Sequence, residues 1–156
     1  MKRGGRRRAR GPGVQWEPIR NFADACVTAL AVHAQLGRAR AAFVMDDVGT
    51  VKQGWALTGP EHTLGDALHL ALLGPRDEIV GGHVLLVTAH GDDDISVLAE
   101  DDVASWHRLQ GTIESRGARA LDWVQYGGEL FRSLRLSVEP DAGWPTLGRG
   151  GLRASP

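Results

Sequence analysis

Apolar residues recur along this chain with two different periods, and the change from one to the other lays out its elements. From Pro18 to Leu36, the positions Ile19, Phe22, Cys26, Ala29, Leu30, His33 and Leu36 fall at helical spacing. That predicts a helix with Pro18 in its first turn and Gly37 just past its end. Ala41 to Met45 and Thr50 to Leu57 predict two strands of a hairpin, joined through the turn sequence Asp46-Asp47-Val48-Gly49. Gly59-Pro60 breaks the second strand. Thr63 and Asp66 stand at capping-box spacing, with Asp in place of the commoner Glu or Gln. Leu64, Ala67, Leu68, Ala71 and Leu72 then share one helical face, and Gly74-Pro75 ends that helix.

Val84 to Val87 is an unbroken apolar run, which predicts a strand buried on both faces at the centre of a helix-covered sheet. Ala99, Val103, Trp106, Gln110 and Ile113 predict a long helix ending near Gly117. Glu100, Asp101 and Asp102 in its first turn suit the positive end of the helix dipole. Ala118 to Tyr126 predicts a strand and Gly127-Gly128 a hairpin turn. Leu130 to Val138 predicts a returning strand, with Leu134, Leu136 and Val138 inward. Together these elements predict a single three-layer α/β domain over residues 14–138, a mixed central β-sheet flanked by helices. Residues 1–13 read as a disordered Arg/Gly-rich tail, and residues 139–156 as a flexible Gly/Pro-rich one.

Composition narrows the setting. A 156-residue chain with 42% apolar residues can bury one core without disulfides. The single cysteine, Cys26, lies on an apolar stripe, reads as a core thiol and fits a reducing compartment. No apolar run reaches the length of a membrane span, and the basic N-terminus lacks the apolar stretch of a secretory signal. A cytoplasmic protein is expected. Arginine far outnumbers lysine, which points to a GC-rich bacterial genome. The formal net charge of −1 gives no global attraction to nucleic acid. Charge is uneven, however. Lys2, Arg3, Arg6, Arg7, Arg8 and Arg10 crowd one end, leaving the rest acidic. Arg6, Arg7 and Arg8 are the residues placed to touch phosphates, in a non-specific and salt-dependent way.

The densest chemistry lies in His83 to Asp102, HVLLVTAHGDDDISVLAEDD. Strand ends that open into polar turns are where α/β proteins place ligand sites. This turn and the helix after it hold His90, Asp92, Asp93, Asp94, Glu100, Asp101 and Asp102. Elsewhere, His33, His69, His83 and His107 read as packed or exposed rather than as ligands. Trp55, Trp106 and Trp123 read as core. Trp144, in the Gly/Pro-rich tail, must dock on the domain or meet a partner.

In this order the motifs resemble the JAB/MPN (JAMM) domain, above all its RadC-like bacterial branch. Phe43-Val44-Met45-Asp46, the strand Val84 to His90, Ala99-Glu100-Asp101 at a helix opening and Leu121-Asp122-Trp123 on a late strand carry the resemblance. It implies a zinc ion held by two histidines and an aspartate, a serine beside the bound water, and an upstream glutamate as general base. The second histidine falls on His90 and the aspartate on Asp101. The first histidine falls on Thr88 and the serine on Leu98. Gln53 and Gly54 stand where the glutamate is sought. The loop after the histidine reads Gly91-Asp92-Asp93-Asp94. Two ligands do not make a catalytic zinc site, and without a base the bound water has no proton acceptor.

The resemblance thus implies a degenerate pseudo-hydrolase without a cofactor, acting as a binding or scaffold module for a protein or nucleic-acid partner. The alternative is a metal-dependent hydrolase of peptidase, isopeptidase or nuclease type with a rebuilt site. In it, His90, Asp101 and one of Asp92, Asp93 or Asp94 hold zinc or another divalent ion, and Glu100 or Asp102 serves as base. That site requires His90 and Asp101 within about 5 Å, with a third carboxylate converging on the same point. A third reading is a nucleic-acid-associated protein that uses the basic N-terminal arm.

Overall fold

A computed structural model describes residues 16–147 and the backbone of Arg6–Arg8. In chain order the elements are β1 (Arg6–Arg8), α1 (Phe22–Leu36), β2 (Ala39–Met45), β3 (Val51–Leu57), α2 (Leu64–Ala71), α3 (Arg76–Ile79), β4 (His83–Ala89), α4 (Glu100–Ser115), β5 (Arg119–Gly127), β6 (Leu130–Ser133) and α5 (Leu134–Val138). The sheet runs β1-β3-β2-β4-β5-β6. Only β4 and β5 pair in parallel, and α4 is the crossover such a pair requires. The α/β class and mixed sheet are those the periodicity predicts.

Every residue of β4 is buried, between β2 on one side and β5 on the other. Its alternation divides the core. Leu85 and Val87 pack with Phe43, Ala29 and Val32 beneath α1. Val84 and Leu86 pack with Leu68, Trp106 and Ile113 beneath α2 and α4. The register shifts between Val84 and Leu85, which pair with Ala120 and Asp122. The extra residue, Leu121, bulges β5. Asp122, paired with Leu85, therefore faces the α1 side, while Trp123 and Gln125 face α2 and α4.

The capping box forms as its spacing predicts. Asp66 N–H donates to Thr63 Oγ1, and Thr63 N–H donates to Asp66 Oδ2. Helix α1 starts later than expected. Asn21 caps it by accepting from Asp24 N–H, so Pro18 lies outside the helix. Its buried face is Ala25, Thr28, Ala29 and Val32, and Leu30 is exposed. The hairpin turn needs Gly49. Its φ is +86°, and a Cβ there would stand 2.5 Å from the Ile19 carbonyl oxygen.

Three expectations change. The predicted strand Leu130 to Val138 stops at Ser133 and becomes α5. Ser133 Oγ accepts from Leu136 N–H, and Asp122 accepts from Arg135 N–H, so local partners replace the ladder. The C-terminal segment stays packed beyond Val138. Trp144 meets the Phe22 ring, Leu147 is buried, and Leu147 N–H donates to the Arg20 carbonyl. At the other end, the backbone of Arg6–Arg8 pairs with β3 rather than hanging free. The rest of residues 1–15, and residues 148–156, lie outside the described residues. Among the described residues no helix is long and apolar enough to cross a membrane.

Candidate functional site

Strand pairing lines up one row of side chains across the head of the sheet. Arg40 on β2 stands opposite Thr88 on β4, Thr88 opposite Gln125 on β5, and Gln125 opposite Arg132 on β6. Period-two alternation turns Thr88 toward α2 and α4, the side that Val84 and Leu86 also face. His90 follows where the strand ends. Its ring comes back to Thr88, with Nε2 3.0 Å from Oγ1. Trp123 Nε1 donates to the same oxygen at 3.0 Å. An indole N–H can only donate, so the Thr88 oxygen accepts from Trp123, and its own hydrogen and a second lone pair remain for His90 Nε2. Donation to Nε2 goes with a neutral His90 protonated on Nδ1, acceptance with one protonated on Nε2. The ring's surroundings suit the neutral form. Burial lowers the His90 pKa, and Arg38 and Arg40 push the same way against the carboxylates of Asp102 and Asp93.

The acidic residues divide rather than converge. Asp102 turns inward, and its Oδ2 accepts from Gln125 Nε2 at 2.8 Å. Glu100 and Asp101, beside it on the first turn of α4, are exposed. Asp93 is held by Arg38 through two contacts, 2.6 and 2.9 Å long. That guanidinium lowers the Asp93 pKa, while the carboxylate raises that of Arg38. Asp94 accepts from Ser96 N–H at 2.8 Å, which lowers its pKa. Asp92 is exposed, and Leu98 is half-buried. The turn itself is pinned by His90 N–H donating to Tyr126 O and Gly128 N–H donating to Gly91 O. Gly127 permits this approach, since a Cβ there would lie 2.8 Å from Asp93 O.

Gln53, buried on β3, belongs to the row through Val44 and Val84, four positions from Thr88. That is about 13 Å away along the strand. The upstream residue that faces Thr88 is Arg40, so a guanidinium stands where a carboxylate base would be sought. Sequence reasoning missed Arg40, although a lone charge in an otherwise apolar strand was the visible signal.

This donor set does not fit a catalytic zinc. His90 Nε2 is already in hydrogen-bond contact with Thr88 Oγ1, and Asp93 and Asp94 are engaged elsewhere. Among the described residues, no three His, Cys, Asp or Glu side chains are grouped to hold a metal ion.

A second polar cluster lies on the opposite face of β5. Asp122 is fully buried. Its Oδ2 accepts from Ser133 Oγ and Trp144 Nε1, both at 2.6 Å, and its Oδ1 accepts from Trp123 N–H and Arg135 N–H. Burial raises its pKa, while the four donors pull it down. Cys26 is nearby. Burial, then the Asp122 charge, push its thiol up to about 11, which leaves it protonated and unreactive at neutral pH.

Beside the Thr88 row, a cleft of about 720 Å³ opens between α2 and α4. Arg40, Thr88 and Trp123 line its inner end. No protein-family model, curated protein or solved structure matches the chain.

Proposed function

We propose that this chain is a RadC-like JAB/MPN-type domain whose hydrolytic centre has given way to a hydrogen-bonded one, so that it binds rather than cuts. The order of elements supports the reading. A hairpin, a helix, a buried strand, a second helix and a late strand follow one another as the resemblance implies. One observation carries the loss of chemistry. Thr88 stands at the first-ligand position, and its hydroxyl occupies the nitrogen of His90 that a metal would need. Arg40, paired opposite Thr88, adds positive charge felt at the His90 ring, which opposes metal binding further. The binding role rests on the cleft that opens directly beside this network.

Elemental analysis of the purified full-length protein tests the reading, before and after incubation with zinc and removal of the excess. Zinc well below one equivalent is expected, with no chelator-sensitive cleavage of peptide, isopeptide or nucleic-acid substrates. One equivalent of zinc, with turnover that disappears on chelation, restores the rebuilt hydrolase.

A further inference from the structure

The cleft between α2 and α4 has an unusual charge for its setting. Residues 16–147 contain ten Lys and Arg against nineteen Asp and Glu. Three of those ten, Arg40, Arg108 and Arg116, line this one cleft, and no carboxylate does. Their partners are uncharged. Arg40 donates to the Gly59 carbonyl at 2.9 Å, Arg116 to the Leu72 carbonyl at 2.8 Å, and Arg108 to Ser105 Oγ at 3.4 Å. None of the three forms an ion pair among the described residues. A guanidinium carries five N–H donors in a planar fork, so most of this donor capacity stays unspent. Two acids stand near His62, which also lines the cleft. Glu61 lies 3.4 Å from its Nε2, and Asp66, already occupied in the capping box, lies 3.9 Å from its Nδ1.

The remaining walls are apolar. Leu64, Leu68 and Leu72 come from α2 and Leu109 from α4. On α4, Arg108 sits next to Leu109, and Arg116, the residue that caps the end of the helix, follows Arg108 by about two turns. The cleft therefore presents a cationic fork beside a greasy wall, at a volume usual for a small-molecule site.

We propose that this cleft binds a small organic phosphate, a phosphomonoester joined to an apolar or aryl body. The inference deepens the binding-module reading by naming its ligand class. A phosphomonoester carries close to two negative charges and three acceptor oxygens, which several forks can share. A carboxylate offers half that charge. A nucleic-acid strand carries phosphates well past the cleft, where the acidic body repels them, whereas a small ligand meets only the local field.

Calorimetry on the full-length protein at low salt tests this with phenyl phosphate, inorganic phosphate, benzoate, phenol and a single-stranded oligonucleotide. Phenyl phosphate should bind with a Kd below about 1 mM, at least about tenfold tighter than any other probe. The exposed pair Arg108→Glu and Arg116→Glu should weaken it by more than about tenfold, with circular dichroism unchanged. If that double variant does not fold, Arg108→Gln with Arg116→Gln takes its place. Arg20→Glu, on a different surface, should leave binding unaltered. No binding of phenyl phosphate at about 10 mM overturns the proposal. So does binding that the arginine variants leave intact, or preference for benzoate or the oligonucleotide. Stoichiometric zinc with turnover would instead remove the pseudo-hydrolase reading and leave this one standing.

Discussion

Two polar clusters lie back to back across β5, and they differ in how completely they are closed. On the α1 side, Asp122 is fully buried, and four donors from three segments of chain fill both of its oxygens. Nothing is left for a ligand. Its work is to fasten α5 and the segment carrying Trp144 onto the sheet. On the other side, the Thr88 relay starts just as deep, but runs outward to a half-buried histidine and into a cleft whose arginines keep free donors. A satisfied buried network rigidifies a fold. A network that ends with capacity to spare is one that can receive something. The comparison teaches that the chemistry of this chain must be sought where hydrogen bonding is incomplete, rather than where acidic residues are dense.

The comparison breaks most readily at Asp122. Asp122→Ala leaves four donors, two buried and two partly buried, without their acceptor and should cost roughly 3–5 kcal/mol in urea unfolding, while binding in the cleft survives wherever the variant is folded. A loss below about 1 kcal/mol would show that water or repacking replaces the carboxylate, and that this side is not the closed one. Thr88→Val keeps the shape and removes the hydroxyl. The buried Trp123 N–H then loses its acceptor, for a predicted cost of roughly 1–3 kcal/mol in the same measurement.

A smaller effect follows from pH. The folded-state pKa of His90 lies below its ordinary 6.5, chiefly through burial, and that of His83 is lowered for the same leading reason. Protonation is thus easier in the unfolded chain. The stability these rings contribute is present above pH 6.5 and is lost as pH falls through the lowered folded values. Asp122, with its raised pKa, acts with the opposite sign: its contribution is present at low pH and lost as pH rises through the raised value. The His90 share is therefore read as a difference. Chemical denaturation in steps from pH 7.5 to pH 5 should show the wild type losing more stability than His90→Gln. Parallel curves would mean that His90 carries no buried neutral ring. The smallest effect belongs to the Arg38–Asp93 pair, which is largely exposed on both sides. Arg38→Ala should leave the melting temperature unchanged within error, as exposed ion pairs usually do. A clear drop would mean that the 90–93 turn depends on that clamp.

Local signals in the sequence were reliable where local forces decide the outcome. The Thr63 capping box and the Asp46-to-Gly49 turn depend on near neighbours, and the unbroken apolar run around Leu85 and Leu86 announces its own burial; the structure contains each of them. The stretch from Leu130 to Val138 misled because its alternation fits a strand as well as a short helix. Ser133 and Asp122 settle the matter, and Asp122 is eleven residues away in sequence from Ser133. At the site, position was legible and composition was not. The strand end at His90 drew notice, and so did its acidic loop. Arg40, Gln125, Arg108 and Arg116 did not, because strand register and the placement of α2 and α4 on one face of the sheet bring them together across some 85 residues. No spacing rule reports such a constellation.

The central claim is that His90 is a hydrogen-bonded neutral ring, held by Thr88, rather than a metal ligand. Nitrogen-15 NMR of the imidazole at pH 7.5, with and without one equivalent of zinc, tests it most directly. The account predicts a neutral His90 ring, with an Nε2 shift that zinc leaves in place and that Thr88→Val alters. A charged ring, or an Nε2 resonance that moves on stoichiometric zinc uptake, would contradict it.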